Sequence, residues 1–270
     1  MLGAQVEVDM TGGVYSGSDP EWDELTRRPH VEVIEALFRY ADSLRPLGLR
    51  DPAAQLLGRG AFGVAYKTRL GGKDSVLKLT RDPHEVLASY QLVGKRHRHV
   101  VPIHGVWSLA QTHVYDFWAP WFLIHRGYLD PLGKVDAEIC DFLFYAFISD
   151  DHDLSPIPLR GGDRIRAEWK EIISTGWVDI DRRGKHRDVK GYEGQRATRA
   201  MQMMVEISHG IEELRRVGIE WADCHAGNVM RDAGGLLKIA DVGYGSERDK
   251  FLVEPTPLTP DLAVKYARRF

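Results

Sequence analysis

Glycines at 58, 60 and 63 constrain this chain more than any other feature, because the residues after them exclude one common use of such a run. A G-x-G-x-x-G run in a dinucleotide-binding turn needs a helical stripe directly after its third glycine. Here the third glycine is succeeded by Val-Ala-Tyr-Lys-Thr-Arg-Leu, with β-branched and aromatic residues and no such stripe. The glycines therefore belong to a strand–turn–strand hairpin. Without Cβ atoms, such a loop can lay backbone N–H groups over an anion.

Short strand-like runs recur nearby. "AQLLGRG", "VAYKTRL", "SVLKLT", "VVPIHGVW" and "PWFLIHRGYL" read as strands broken by Gly-rich turns, with Gly71-Gly72 as a tight hairpin. Residues 83–94 read as a short helix with Pro at its start and Gly at its end. Residues 54–126 are thus predicted to form a five-stranded antiparallel sheet with one helix.

Before them, Val31, Ile34, Leu37, Phe38, Ala41 and Leu44 keep helical spacing over 30–44, with Pro46 and Gly48 as the stop. After Gly127 the pattern is mainly helical. Helices are expected over 136–147 and over 196–217, the second with Ala197, Met201, Met204, Ile207, Ile211, Leu214 and Val217 on one stripe and Gly218 as its cap. "NVMRD" and "LLKIADV" read as a hairpin. Residues 150–195 are polar and rich in Gly, Pro, Arg and Asp, an insertion long for a loop in a compact domain. The class is α+β. The division is 1–50 as an N-terminal extension with one helix, 51–126 as a sheet lobe, and 127–270 as a reduced, mainly helical lobe.

Composition narrows the function classes. With 270 residues and 43% apolar content the chain can bury a full core. A formal net charge of −3 supplies no global field toward nucleic acid. Two cysteines, Cys140 and Cys224, offer no disulfide framework, which fits a reducing compartment. The first residues lack a signal-peptide pattern and no apolar run is long enough to span a bilayer, so the expectation is a cytoplasmic protein with no membrane partner. The basic runs "KRHRH" and "RRGKHR" read as solvated loops, and His84, His97, His99, His104 and His113 lack a compact metal-ligand spacing.

The chemistry-bearing residues come in a fixed order. Lys78 lies inside an apolar strand, where an unpaired ammonium is costly. Glu85, seven residues on, is the only Glu in the next helix. "DCHAGN" places Asp223 and Asn228 in a D-x-x-x-x-N spacing, after a long helix ending in Gly and before a strand. "DVG" places Asp241 and Gly243 one hairpin further on.

This ordered set resembles the protein-kinase superfamily over about Gly58 to Gly243. The resemblance implies a two-lobed fold that binds ATP and Mg²⁺ between the lobes. It implies that Gly58, Gly60, Ala61, Phe62, Gly63 and Val64 cover the phosphates, and that Lys78, held by Glu85, pairs with them. Asn228 and Asp241 would hold the metal, and Asp223 would orient the acceptor hydroxyl and take its proton. His225, in D-x-H-x-x-N, resembles the loop of aminoglycoside and choline kinases, where protein kinases usually carry Lys. By the same resemblance, the backbone of 125–128 would pair with adenine.

Three departures are visible. Trp221-Ala222 stands where His-Arg is usual, Val242 stands where Phe is usual, and no A-P-E motif occurs in the 27 residues after Gly243. The expectation is a minimal kinase moving the γ phosphate of Mg·ATP to a hydroxyl, of a protein Ser/Thr in the first instance. A small-molecule acceptor, an ATP-binding pseudokinase and an AMP transferase are the alternatives.

Overall fold

Alternation along one strand organises the molecule. In Lys73–Thr80 (β3), Leu77 and Leu79 turn to one face of the sheet while Lys78 turns to the other. The computed structural model describes residues 42–60, 62–109, 121–147, 177–179, 186–188, 194–221, 223–243 and 255–270. The fold is mixed α+β around a five-stranded antiparallel sheet. Leu56–Arg59 (β1), Gly63–Leu70 (β2), β3, Ile103–Ser108 (β4) and Phe122–Gly127 (β5) stand in the order β1-β2-β3-β5-β4.

The predicted strands and the helix Pro83–Leu92 (α1) all form. Gly71 and Gly72 take positive φ at the β2–β3 turn, as a two-residue hairpin requires. Gly71 also allows a close approach: a Cβ there would lie 1.9 Å from the backbone oxygen of Phe270.

The face bearing Leu77 and Leu79 is sealed by segments from far apart in the chain. Leu44, Leu47 and Leu49 pack on it from one side, with Leu258 and Ala263 from the helix-bearing segment 255–270. The helix in that segment is Pro260–Ala267 (α4). Thr68 Oγ1 donates to Leu47 O at 2.6 Å, and Gln55 Nε2 bonds both Gly48 O and Lys67 O. Residues 255–258 also run along the β4 edge, with Ser108 N donating to Thr256 O and Leu258 N to Ser108 O.

This changes the division expected from sequence. Residues 42–50 are part of the sheet's core rather than an extension, and 255–270 join the sheet instead of the helical half. Both dock because they carry the apolar side chains that the back of the sheet lacks partners for. Residues 42–44 are helical and pass into a 3-10 turn at Arg45–Leu47, ended by Gly48 at φ 85°. Residues 30–41 of the expected N-terminal helix lie outside the described residues. So does most of the 150–195 insertion, of which Trp177–Asp179 (β7) and His186–Asp188 (β8) pair antiparallel.

The opposite face meets the second half of the chain. Asp130–Pro131 (β6), Lys134–Phe147 (α2), Gly194–Arg215 (α3), Val229–Arg231 (β9) and Leu237–Ile239 (β10) compose it, with β9 and β10 forming the expected hairpin. One apolar cluster runs from Val86, Leu92 and Ile124 through Ile139 and Leu143 to Met204, Ile207 and Ile239. The hairpin is also tied by backbone bonds from Ile239 N to His99 O and from Val101 N to Ile239 O. Buried Asp136 of α2 accepts from Arg199 of α3 and from Arg231 of β9, fixing three elements through one carboxylate. Among the described residues, no helix is long and apolar enough to cross a membrane.

Candidate active site

Lys78 sits opposite Ala65 of β2 and Ile124 of β5, on the face turned to the helical half. Its ammonium is 2.6 Å from Glu85 Oε1 and 2.6 Å from Asp241 Oδ2. The pairing with Glu85 is the one expected from sequence. The link from β3 to α1 is short, so Glu85 falls in the first helical turn, where the helix dipole favours a carboxylate. Asp82 caps that helix by accepting from His84 N at 2.9 Å.

Electrostatics at this triad are set by burial and unequal support. Burial opposes charge on Lys78, but Asp241 and Glu85 outweigh it and hold the ammonium pKa above its ordinary value. Asp241 is part-buried, which opposes its charge, yet Lys78, Arg126 and the Gly243 N–H keep its carboxyl well below the usual range. Glu85 is 2% exposed and has the weaker claim on the shared cation. Burial and the Asp241 charge push its carboxyl up.

The glycine loop joins β1 to β2 of the same sheet. Gly60 N donates to Gly63 O and Arg81 N to Phe62 O, both at 2.9 Å. The three glycines have different reasons to be glycine. A Cβ on Gly63 would lie 2.3 Å from Leu79 O, so β2 and β3 could not approach there. At Gly58 and Gly60 a Cβ would meet nothing within 4 Å and φ is ordinary, so neither packing nor torsion within the chain demands glycine. These two positions border open space that a side chain would enter. Phe62 is exposed at the loop tip, and Ala61 lies outside the described residues. Val64 corrects the sequence expectation: it is buried with Leu79 and Tyr66 on the other side of the sheet. Strand alternation gives Ala65 the place beside Lys78.

Asp223, His225 and Asn228 come after α3, whose closing turn reaches Gly218 in the left-handed region. Trp221 then turns inward and donates its indole N–H to Asp241 O at 2.8 Å. Asn228 is buried, and its Nδ2 donates to Asp223 O at 3.0 Å and Asp223 Oδ2 at 2.8 Å. That fixes the amide and leaves Asn228 Oδ1 as its acceptor atom. The hairpin register brings Asp241 to the same end, because Ala240 N donates to Asn228 O at 2.8 Å. His225 Nε2 lies 3.5 Å from Asp223 Oδ2, and this carboxylate raises the imidazole pKa. His225 Nδ1 accepts from Gly227 N at 3.1 Å, so the ring holds the loop as well as facing Asp223.

Two residues of this site carry no mark in the sequence. Asp141 of α2 accepts from Ala226 N at 2.8 Å and so anchors the 223–228 loop. Arg126 of β5 donates from Nη1 to Ala240 O at 2.5 Å. The motif spacing carries no signal for either, since each reaches its partner, Ala226 or Ala240, from an element distant in sequence.

One further expectation is corrected. His125 cannot present backbone groups to a base: it is fully buried in β5, paired with Leu77 and Gly105. Burial pushes the Cys224 thiol beside Asp223 up to about 12, so it is not an activated nucleophile.

No group of three His, Cys, Asp or Glu that could hold a metal occurs among the described residues. Asp241 and Asn228 together offer one carboxylate and one amide oxygen, a donor set that suits a cation keeping water and phosphate ligands. No protein-family model matches the chain, and no curated protein matches it.

Proposed function

We propose that this chain is a minimal, two-lobed, protein-kinase-like phosphotransferase acting on Mg·ATP with a hydroxyl acceptor, in the first instance a protein Ser/Thr. The observation that carries the reading is Lys78 held 2.6 Å from both Glu85 and Asp241, on the strand that pairs with the one following the glycine loop. The bonded pair Asp223–Asn228 stands at the same end of the hairpin.

Mg²⁺ bound by phosphate oxygens would neutralise charge that builds up on the transferring group. Asp241 and Asn228 Oδ1 are the residues that would hold it. Gly58 and Gly60 would let the loop backbone approach the phosphates, and Lys78 would turn from Asp241 to pair with them while Glu85 retains it. Asp223, half exposed and oriented by Asn228, would accept the hydroxyl proton as the new P–O bond forms and the bond to the β-phosphate oxygen breaks. Catalysis of this kind rests on positioning and on fixed charge.

The test incubates the purified chain with a cell lysate, Mg²⁺ and ATP labelled at either the γ or the α phosphate. Label transferred from the γ position alone is expected, with an Asp223→Asn variant reduced on the order of 10³-fold in kcat but little changed in ATP affinity. Transfer from the α position would establish AMP transfer instead. Nucleotide binding without transfer of either label would make the chain a pseudokinase. Label on a protein band against label on a metabolite decides the acceptor class.

A further inference from the structure

The Lys78 triad is not electrically balanced. Glu85 and Asp241 share Lys78, two carboxylates to one ammonium, with Glu85 buried and the other two part-buried. Buried charge left without a partner is strongly unfavourable. The fourth charge comes from β5. Arg126 stands opposite Val76, two residues along β3 from Lys78, so strand alternation puts both cations on the same face of the sheet. Its Nη1 reaches across the cleft to Ala240 O, the residue directly before Asp241. Its charge acts on Asp241, Glu85 and Lys78 alike.

We infer that Arg126 is a positioning residue that tethers the Asp241 segment to the sheet and supplies the second positive charge the cluster needs when Lys78 is engaged elsewhere. The inference rests on the nucleotide-site reading for its consequence, though not for the tether itself. In that reading Lys78 leaves Asp241 to meet phosphate. Asp241 then needs a partner that does not move. The guanidinium has that character, because its hydrogen bond goes to a backbone carbonyl and its charge survives any accessible pH. It also joins β5 of the sheet to the segment after β10. A lysine, with a single point of contact, would keep the charge and lose part of the geometry.

The experiment has two arms on the full chain, with Arg126→Met and Arg126→Lys. Amide hydrogen exchange over 237–243, without nucleotide, reads the tether. Calorimetric binding of Mg·ADP, titrated against Mg²⁺, reads the consequence. Arg126→Met is expected to accelerate exchange about tenfold and to weaken Mg²⁺-dependent ADP binding by roughly 10–100-fold, with Arg126→Lys recovering part of the affinity. Exchange unchanged in Arg126→Met overturns the inference whatever the binding shows. Accelerated exchange with ADP binding equal to that of the unsubstituted chain overturns the charge role. An unsubstituted chain that binds no Mg·ADP, with exchange still accelerated in the variant, overturns the nucleotide reading and upholds the tether.

Discussion

The two faces of the five-stranded sheet are built from alternate residues of the same strands, yet they solve opposite problems. On one face Leu77, Leu79, Tyr66 and Leu123 meet leucines from both flanking segments and make a dry apolar layer. On the other, two residues of those same strands, Lys78 and Arg126, meet Glu85, Asp241 and the Ala240 carbonyl. The comparison teaches where stability is kept and where the proposed chemistry would lie. The apolar face can hold the strands rigid because nothing on it has to move. The charged face is supported from behind, so its ion pairs need not stabilise the fold, and buried ion pairs are poor at doing so.

The sharpest way to break this contrast is one substitution per face. Leu77→Ala is expected to cost about 2–5 kcal/mol of unfolding free energy, read by denaturant titration, while activity per folded molecule is retained. Glu85→Gln is expected to change stability by less than about 1 kcal/mol, because the amide still meets Lys78 and a costly buried charge is removed. Activity should fall on the order of 10²-fold as Lys78 loses its orientation. Loss of activity without loss of stability in Leu77→Ala, or the reverse in Glu85→Gln, would sink the separation.

A smaller effect sharpens it, because the faces should titrate with opposite sign. His125 is buried on the apolar face, its Nδ1 2.9 Å from Tyr266 Oη and its Nε2 without a hydrogen-bond partner among the described residues. Burial, with His104 alongside, pulls its pKa from 6.5 down to about 3. Between those values the unfolded chain binds the proton and the folded chain does not, so stability rises with pH. Glu85 behaves in reverse. Its folded pKa lies above the ordinary 4.5, so the folded chain holds the proton longer and stability falls as pH rises above that value. Melting temperature against pH should therefore lose part of its acid-side slope in His125→Leu, with His99 and His104 retaining the remainder, and should become steeper in Glu85→Gln. Parallel curves for the two variants would refute the assignment of these groups.

Smallest of all is the stability effect of Gly58→Ala, expected within about 0.5 kcal/mol because its Cβ meets nothing. A drop in nucleotide affinity at unchanged melting temperature would show that this glycine serves a ligand. No change in either would remove Gly58 from the site.

Much of this is legible in the sequence, for a local reason. Strand alternation, the Gly71-Gly72 turn and the α3 stripe depend on neighbours within a few residues, and each forms where its pattern lies. Glu85 is legible because its short helix holds no other Glu. Val64 is misleading because adjacency to a motif competes with alternation, which sends every second side chain to the other face. Arg126, Asp141 and the docking of 255–270 stay hidden for a different reason. Each depends on a register or a contact made across some 85 residues or more, and a single chain of letters carries no record of such meetings.

The sealing of the sheet has a consequence for synthesis. Domains fold as their residues leave the ribosome, at about 5–20 residues per second. Strands β1 to β5 emerge well before residues 255–270, so for seconds the leucine face, Trp107 and Trp121 have, among the described residues, the 42–49 segment alone to cover them. The nascent sheet is at its most adhesive in that interval, and a chaperone that shields its back would shelter this chain until its last turn of helix arrives.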